Sequence, residues 1–146
     1  MARDLYTRLV YACRNKIFGR IAYYTLKLLG VEIPIAVEIG DDFELAHGGF
    51  GVVIHSNTVI GNRVKIYPGV GIGRADIYRP SDKSRFKGIV IEDDVILSTG
   101  AKIICKTGLL NVGRGTVIGA NAVLSQSTGE NEIWTGLPAR RVGKRE

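Results

Sequence analysis

From Ile33 onward an aliphatic residue returns at every sixth position. Ile33, Ile39 and Leu45 form one run, Ile54, Ile60, Ile66 and Ile72 a second, Ile91, Leu97 and Ile103 a third, and Val112, Ile118 and Leu124 a fourth. All thirteen are Ile, Leu or Val, residues that make up roughly a fifth of an average protein, so chance is a poor explanation. Four positions after each comes a second residue, mostly small or β-branched: Val37, Thr58, Val64, Val70, Val95, Ala101, Thr107, Thr116, Ala122 and Thr128. Phe43, Gly49 and Asp76 depart from that second rule. Because six is even, the first and fifth residues of each unit face the same side of a strand. Six helical residues make about 1.7 turns and give no such return. Gly, Asn and Asp fall between the inward residues, in IGDD, IGNR, VGRG and IGAN, and suit tight corners. This pattern predicts a parallel β-helix with three units per triangular coil, in which stacking supplies the core.

Residues 4–29 follow another period. Leu5, Leu9, Ala12, Cys13, Ile17, Ile21 and Leu28 fall at helical spacing. Asp4 is suited to cap the start and Gly30 to end the segment, and Gly19 marks a break between two shorter helices. The six-residue repeat fails at three places. Residues 50–53 shift its phase, residues 74–88 (RADIYRPSDKSRFKG) form a polar, basic loop, and residues 108–111 add a short excursion. After Leu124 the period stops, and GENEIWTGLPARRVGKRE reads as a capping tail. The expected class is therefore all-β. A β-helix spans residues 31–146, with an extended loop at 74–88, a short amphipathic α-helical segment at 1–30, and the C-terminal capping tail. Insertions in a solenoid project outward and often line the binding face.

At 146 residues the chain has the size of one domain. Charged residues at 23% and hydrophobic ones at 45% are ordinary for a soluble globular protein. Nineteen glycines are about twice the usual share and agree with many tight corners. The net charge of +6 is unevenly placed: residues 1–30 hold Arg3, Arg8, Arg14, Lys16, Arg20 and Lys27 against Asp4 alone. Arg140, Arg141, Lys144 and Arg145 form a second basic cluster, and the body between is close to neutral. That distribution, with no zinc-finger spacing or RNA-binding aromatic signature, argues against a nucleic-acid binder. Cys13 and Cys105 lie far apart and indicate no disulfide framework, so a reducing cytoplasm is the expected compartment. The basic N-terminal segment has two readings: packing against the base of an oligomer, or lying on an anionic membrane surface at the cytoplasmic face. Its apolar residues are interrupted every few positions by Arg or Lys and do not read as a cleavable signal. No stretch reaches the ~18 apolar residues of a membrane span.

Both histidines, His47 and His55, fall within LAHGGFGVVIHSNTVIG (residues 45–61). His55 directly follows an inward Ile, where other units carry Gly61, Gly113 and Gly119, and reads as structural. Cys105 reads as a small buried hydrophobe, and Cys13 as a helix packing residue.

The repeat, the long loop and the TGLPARRVG ending resemble the hexapeptide-repeat acyltransferases. Within them the chain resembles the serine acetyltransferase-like branch, which includes acetyltransferases of surface polysaccharide and lipopolysaccharide synthesis. The resemblance covers about residues 31–144. It implies a left-handed β-helix, a homotrimer with active sites between neighbouring prisms, and acetyl-CoA as donor, without a metal. Leu45-Ala46-His47 before Gly51–Ile54 (GVVI) matches the family's catalytic-base unit, and Glu32 in VEIP stands at the position of its orienting carboxylate. A neutral imidazole near pH 7 suits removal of a hydroxyl proton, and a carboxylate would hold its tautomer. A backbone N–H at Gly73, in GIGR, is the candidate oxyanion donor. Ser98, Thr99, Gly119 and Ala120 are the candidate contacts of the pantetheine arm, and Arg140 and Lys144 of the nucleotide phosphates. Trp134 either covers the adenine or anchors the tail.

The chain also departs from serine acetyltransferases. Its helical segment is short, Ala46 replaces an Asp that helps bind serine, and Phe86 stands where their loop supplies a second His. A sugar hydroxyl on a glycan precursor is therefore the expected acceptor, with Ala46, Arg74, Tyr78, Arg79 and Arg85 as candidate contacts. An amino sugar and serine follow as alternatives. Carbon-dioxide-hydrating β-helices need three histidine ligands, and this chain has two histidines in all. A non-enzymatic β-helix assembly module is the remaining class.

Overall fold

A computed structural model of the chain describes residues 4–146. Residues 1–3 of the N-terminal segment, Arg3 among them, lie outside the described residues. Two helices, α1 (Leu5–Ala12) and α2 (Gly19–Leu28), precede the repeat. Asp4 caps α1, its Oδ1 accepting the Thr7 N–H at 2.7 Å. The break expected at Gly19 spans residues 13–18, and Gly19 opens α2. Gly30, at φ +83°, turns the chain out of α2.

The repeat winds into four coils of three strands. They are β1 (Glu38–Ile39), β2 (Glu44–Leu45) and β3 (Val53–Ile54); β4 (Thr58–Ile60), β5 (Lys65–Ile66) and β6 (Gly71–Arg74); β7 (Phe86–Ile91), β8 (Ile96–Leu97) and β9 (Lys102–Cys105); and β10 (Gly108–Val112), β11 (Val117–Ile118) and β12 (Val123–Leu124). Equivalent strands stack in parallel into three faces. Face 1 is β1-β4-β7-β10, face 3 is β3-β6-β9-β12, and face 2 is β2-β5-β8-β11 continued by β13 (Glu132–Gly136) and β14 (Ala139–Lys144). The tail is thus a hairpin. β13 extends face 2, with Trp134 above Ile118 in the inward column, and β14 pairs antiparallel outside it.

Twelve of the thirteen hexad residues are buried, and Ile39, near the base, is half-buried. Phe43 and Asp76, which depart from the small-residue rule, are buried at 1% exposure. Their positions obey the inward parity even though their size and polarity do not. Thr107 is exposed. It belongs to the excess between Ile103 and Val112, nine positions apart where the repeat needs six. The loop proper is shorter than 74–88, because Arg74 ends β6 and Phe86 opens β7.

The first coil has no coil below it, so backbone donors there need other partners. Hydroxyls of α1 supply them. Thr7 Oγ1 accepts the Leu45 N–H at 3.1 Å, and Tyr11 Oη accepts the Phe43 N–H at 3.0 Å while donating to the Gly40 carbonyl at 2.7 Å. The helical segment therefore closes the base of face 2, with Val10 as well as Ala22 and Leu26 of α2 buried beneath the prism.

Candidate active site

The expected site residues fall on two different edges of the prism. Between faces 2 and 3 the chain turns through a column of residues with left-handed backbone: Gly51, Gly69, Gly100 and Asn121. A Cβ on Gly51 would lie only 3.6 Å from the Gly69 Cα, so the corners stack closely. Leu45 and Ile54 are nine positions apart instead of six, and the three extra positions are taken up by a short 3-10 turn of four residues, Ala46–Gly49. Within it His47 adopts φ 53°, ψ 32°, followed by Gly48 and Gly49 at φ +79° and +65°. Left-handed backbone costs a residue with a Cβ about 1–3 kcal/mol and persists where its surroundings enforce it. Tyr6 of α1 lies against the same turn. Its ring packs on Gly48, where a Cβ would approach Cε2 to 2.9 Å. The His47 side chain is consequently exposed, its ring 5.9 Å from that of Tyr67.

Above His47 the same edge carries the candidate donor contacts. Ser98 and Thr99 follow β8, and Gly119 and Ala120 follow β11, just as Ala46 and His47 follow β2. Thr99 and Ala120 are exposed, and Ser98 and Gly119 half-buried. Arg140 pairs with Thr135 at the near end of the hairpin and continues the row. From the first coil to β13 the row climbs about 19 Å at the usual strand spacing. Lys144 does not belong to it. It pairs with Glu132 at the far end of β14, about 13 Å along the strand from Arg140. Trp134 anchors the tail: it is buried and its indole N–H donates to Glu132 Oε2 at 2.8 Å. That bond, with the Gly129 N–H and Arg141 nearby, holds the Glu132 carboxyl below its ordinary range.

Glu32 lies on face 3 at its base, bridged to Val53. Among the described residues no hydrogen bond or ion pair joins it to His47. Its Oε1 accepts from Tyr23 Oη at 2.6 Å and its Oε2 faces Lys27 Nζ at 3.2 Å, so the carboxylate ties α2 to the prism. The Tyr23 hydroxyl is pushed up by this bond.

The edge between faces 3 and 1 holds the long loop. Its centre is Asp76, fully buried, whose Oδ2 accepts from Ser84 Oγ at 2.8 Å. The Arg74 Nε lies 3.8 Å from Oδ1, and Arg74 Nη2 donates to the Arg79 carbonyl at 2.7 Å. Arg74 is only 16% exposed and thus braces the loop from within. Tyr78 and Arg85 are exposed, and Arg79 lies half-buried with its guanidinium 5.8 Å from the Tyr78 ring. His55 sits beneath the loop, its ring 4.9 Å from Phe86 in an edge contact and its Nδ1 accepting the Asn57 N–H. Burial, then the charge of Arg74, lowers its pKa. Cys105 is buried at the same edge, and burial pushes its thiol up, in keeping with a packing role. Gly73 lies opposite Ile104. The neighbouring Gly71 and Ala75 N–H groups donate to Ala101 and Cys105 of the next strand. Donors alternate along a parallel ladder, so the Gly73 N–H points into the sheet with them and not toward the His47 edge.

Sequence reasoning did not single out Tyr67, Tyr23 or the Asp76–Ser84 bond. The signal available for Asp76 was an acid at an inward position of the repeat. Two shallow clefts, of about 330 and 240 Å³, lie beside Cys105 and Ser127 and on face 1 beside Ser56 and Lys87. Neither reaches His47, which one chain leaves open to solvent.

No family model matches the chain. A serine acetyltransferase of Bacillus licheniformis is 34% identical over 142 residues, which cover 97% of this chain and 60% of that protein. Among solved structures, a serine acetyltransferase in complex with CoA superposes with a TM-score of 0.66 at 29% identity, over 94% of this chain and 54% of that one. The serine acetyltransferase of Neisseria gonorrhoeae in complex with serine does so with a TM-score of 0.73 at 25% identity, over 94% and 55%. The prism is the left-handed β-helix of the hexapeptide-repeat acyltransferases. Within that fold the chain is similar in sequence to serine acetyltransferases. It spans about three fifths of the length of the curated relative it matches.

Proposed function

We propose that this chain transfers an acetyl group from acetyl-CoA to a hydroxyl, with His47 as general base, at a seam between copies arranged as a homotrimer. The observation that carries this reading is His47 itself. An exposed imidazole is held in a strained corner at the foot of a row of small residues, Ser98, Thr99, Gly119 and Ala120, which ends beside Arg140. The small residues leave space for a slender acyl carrier along the edge, and Arg140 offers charge-assisted bonds to phosphate. His47 takes the hydroxyl proton as the oxygen attacks the thioester carbonyl carbon. The carbon–sulfur bond then breaks, and the imidazolium returns the proton to the departing thiolate. The transfer is direct and needs no acyl-enzyme. A homotrimer is supported by the placement of the two edges: within one chain face 3 separates His47 from the loop, and a neighbouring prism would supply the second wall and exclude water.

Similarity to proteins named serine acetyltransferases supports serine as acceptor. A sugar hydroxyl is the second reading, favoured by Ala46 and Phe86, which remove polar partners that an amino acid would need. Thiol release from acetyl-CoA, measured with serine, simple sugars, nucleotide sugars and oligosaccharides, separates the two. Serine turning over best establishes the first acceptor, and a sugar turning over best establishes the second. No acceptor-dependent release would overturn the enzymatic reading in favour of an assembly module.

A further inference from the structure

We infer that α2 is a docking face for an anionic phospholipid surface, on which the protein lies peripherally. This helix is apolar on two sides. Ala22 and Leu26 are buried against the prism. On the opposite side Ile21, Tyr24 and Leu28, at i, i+3 and i+7 spacing, are 66%, 60% and 90% exposed. Ile17 and Phe18, at 79% and 59%, lead into the same stripe. Elsewhere on the coils large apolar side chains are exposed mostly one or two at a time, which is ordinary. A continuous stripe is not.

Charge selects the occupant. From Leu5 to Val31 the chain has five basic residues and no acidic one. Lys16 and Arg20 are exposed beside the stripe, whereas Lys27 is paired with Glu32, which also accepts from Tyr23. Two such faces brought together in a symmetric pair would oppose like charges. An anionic bilayer answers both features, with acyl chains for the stripe and headgroups for the cations. No described helix is long and apolar enough to cross a membrane, so α2 would lie in the interface. The stripe ends near the candidate active site. The Phe50 ring, 72% exposed, packs against Gly30 at the end of α2, three positions after His47.

The test is co-sedimentation of the full chain with phosphatidylcholine vesicles, with and without phosphatidylglycerol, over a salt series. The expected result is pelleting with phosphatidylglycerol vesicles at low salt and release as salt rises. Ile21→Asp with Leu28→Asp should lower the bound fraction by about tenfold or more, and Lys16→Glu with Arg20→Glu should do the same at low salt. Circular dichroism checks that each variant stays folded. The inference is overturned if the wild type fails to pellet with anionic vesicles at low salt. It is equally overturned if the folded Asp variant pellets like the wild type, or if that variant changes only the oligomeric mass, which would assign the stripe to a second copy.

Discussion

The two edges that border face 3 carry insertions of very different kinds. At the edge between faces 2 and 3 three extra residues fit into one corner, and the result is backbone strain and an exposed imidazole. At the edge between faces 3 and 1 a long insertion folds over itself around a buried acid, Asp76, held by Ser84 and braced by Arg74. A short insertion in a stacked solenoid cannot build an interior of its own, and here it tucks in Ala46 and leaves the His47 side chain in solvent, free to react. A long one must supply internal partners for its polar groups, and those partners are then committed to structure. The two histidines divide accordingly. His47 is exposed on the first edge, whereas His55 is half-buried under Phe86 on the second.

The largest expected effect tests that division directly. His47→Ala should lower acetyl transfer by about 10²–10⁴-fold and leave the melting temperature close to that of the wild type, as for other exposed positions. His55→Ala should keep activity within a few-fold, and thiol-release assays on both variants read the contrast. A His47→Ala protein with full activity would erase it. Next in size is stability at the loop edge. Asp76→Ala removes the acceptor of Ser84 and leaves Arg74 uncompensated, a loss of about 2–4 kcal/mol in denaturant titrations. Faster proteolytic cleavage within residues 75–85 should accompany it. A smaller effect of opposite sign is expected at the other edge. His47→Gly relieves the left-handed backbone and should stabilise the fold by about 1 kcal/mol, against a slight offset from the freer unfolded chain.

The smallest effect is on pH dependence. Burial and Arg74 favour the neutral ring of His55, so its folded pKa lies below the ordinary 6.5. Below that value the unfolded chain binds more protons than the folded one. The contribution of His55 is complete above 6.5 and is lost as the pH falls through the lower folded value. Denaturation midpoints of His55→Gln should therefore fall less between neutral and mildly acidic pH than those of the wild type.

Much of the fold was legible in the local pattern, and the exceptions show how. The small-residue rule fails at Phe43 and Asp76, yet both are buried, because parity decides the side on which a residue lies and size does not. Thr107 obeys the rule and is exposed, because it falls in a segment where the count of six is broken. The site was legible in part. His47 and the row above it could be placed from their positions after each hexad. The partners of Glu32 could not, since Tyr23 and Lys27 come from a helix whose docking no repeat encodes. The different fates of Arg140 and Lys144 depended on the tail turning back on itself at Leu137–Pro138.

By itself the sequence determined that the chain coils, which residues face inward and where the corners break. Those properties follow from the alternation of a strand and the backbone freedom of a few residues, both local. Only the tertiary structure decided which edge each insertion occupies, which polar groups become buried partners and which apolar face of α2 stays uncovered. These depend on stacking residues sixteen or more positions apart, and on the helices closing an open base, where contacts are made between segments and not within them.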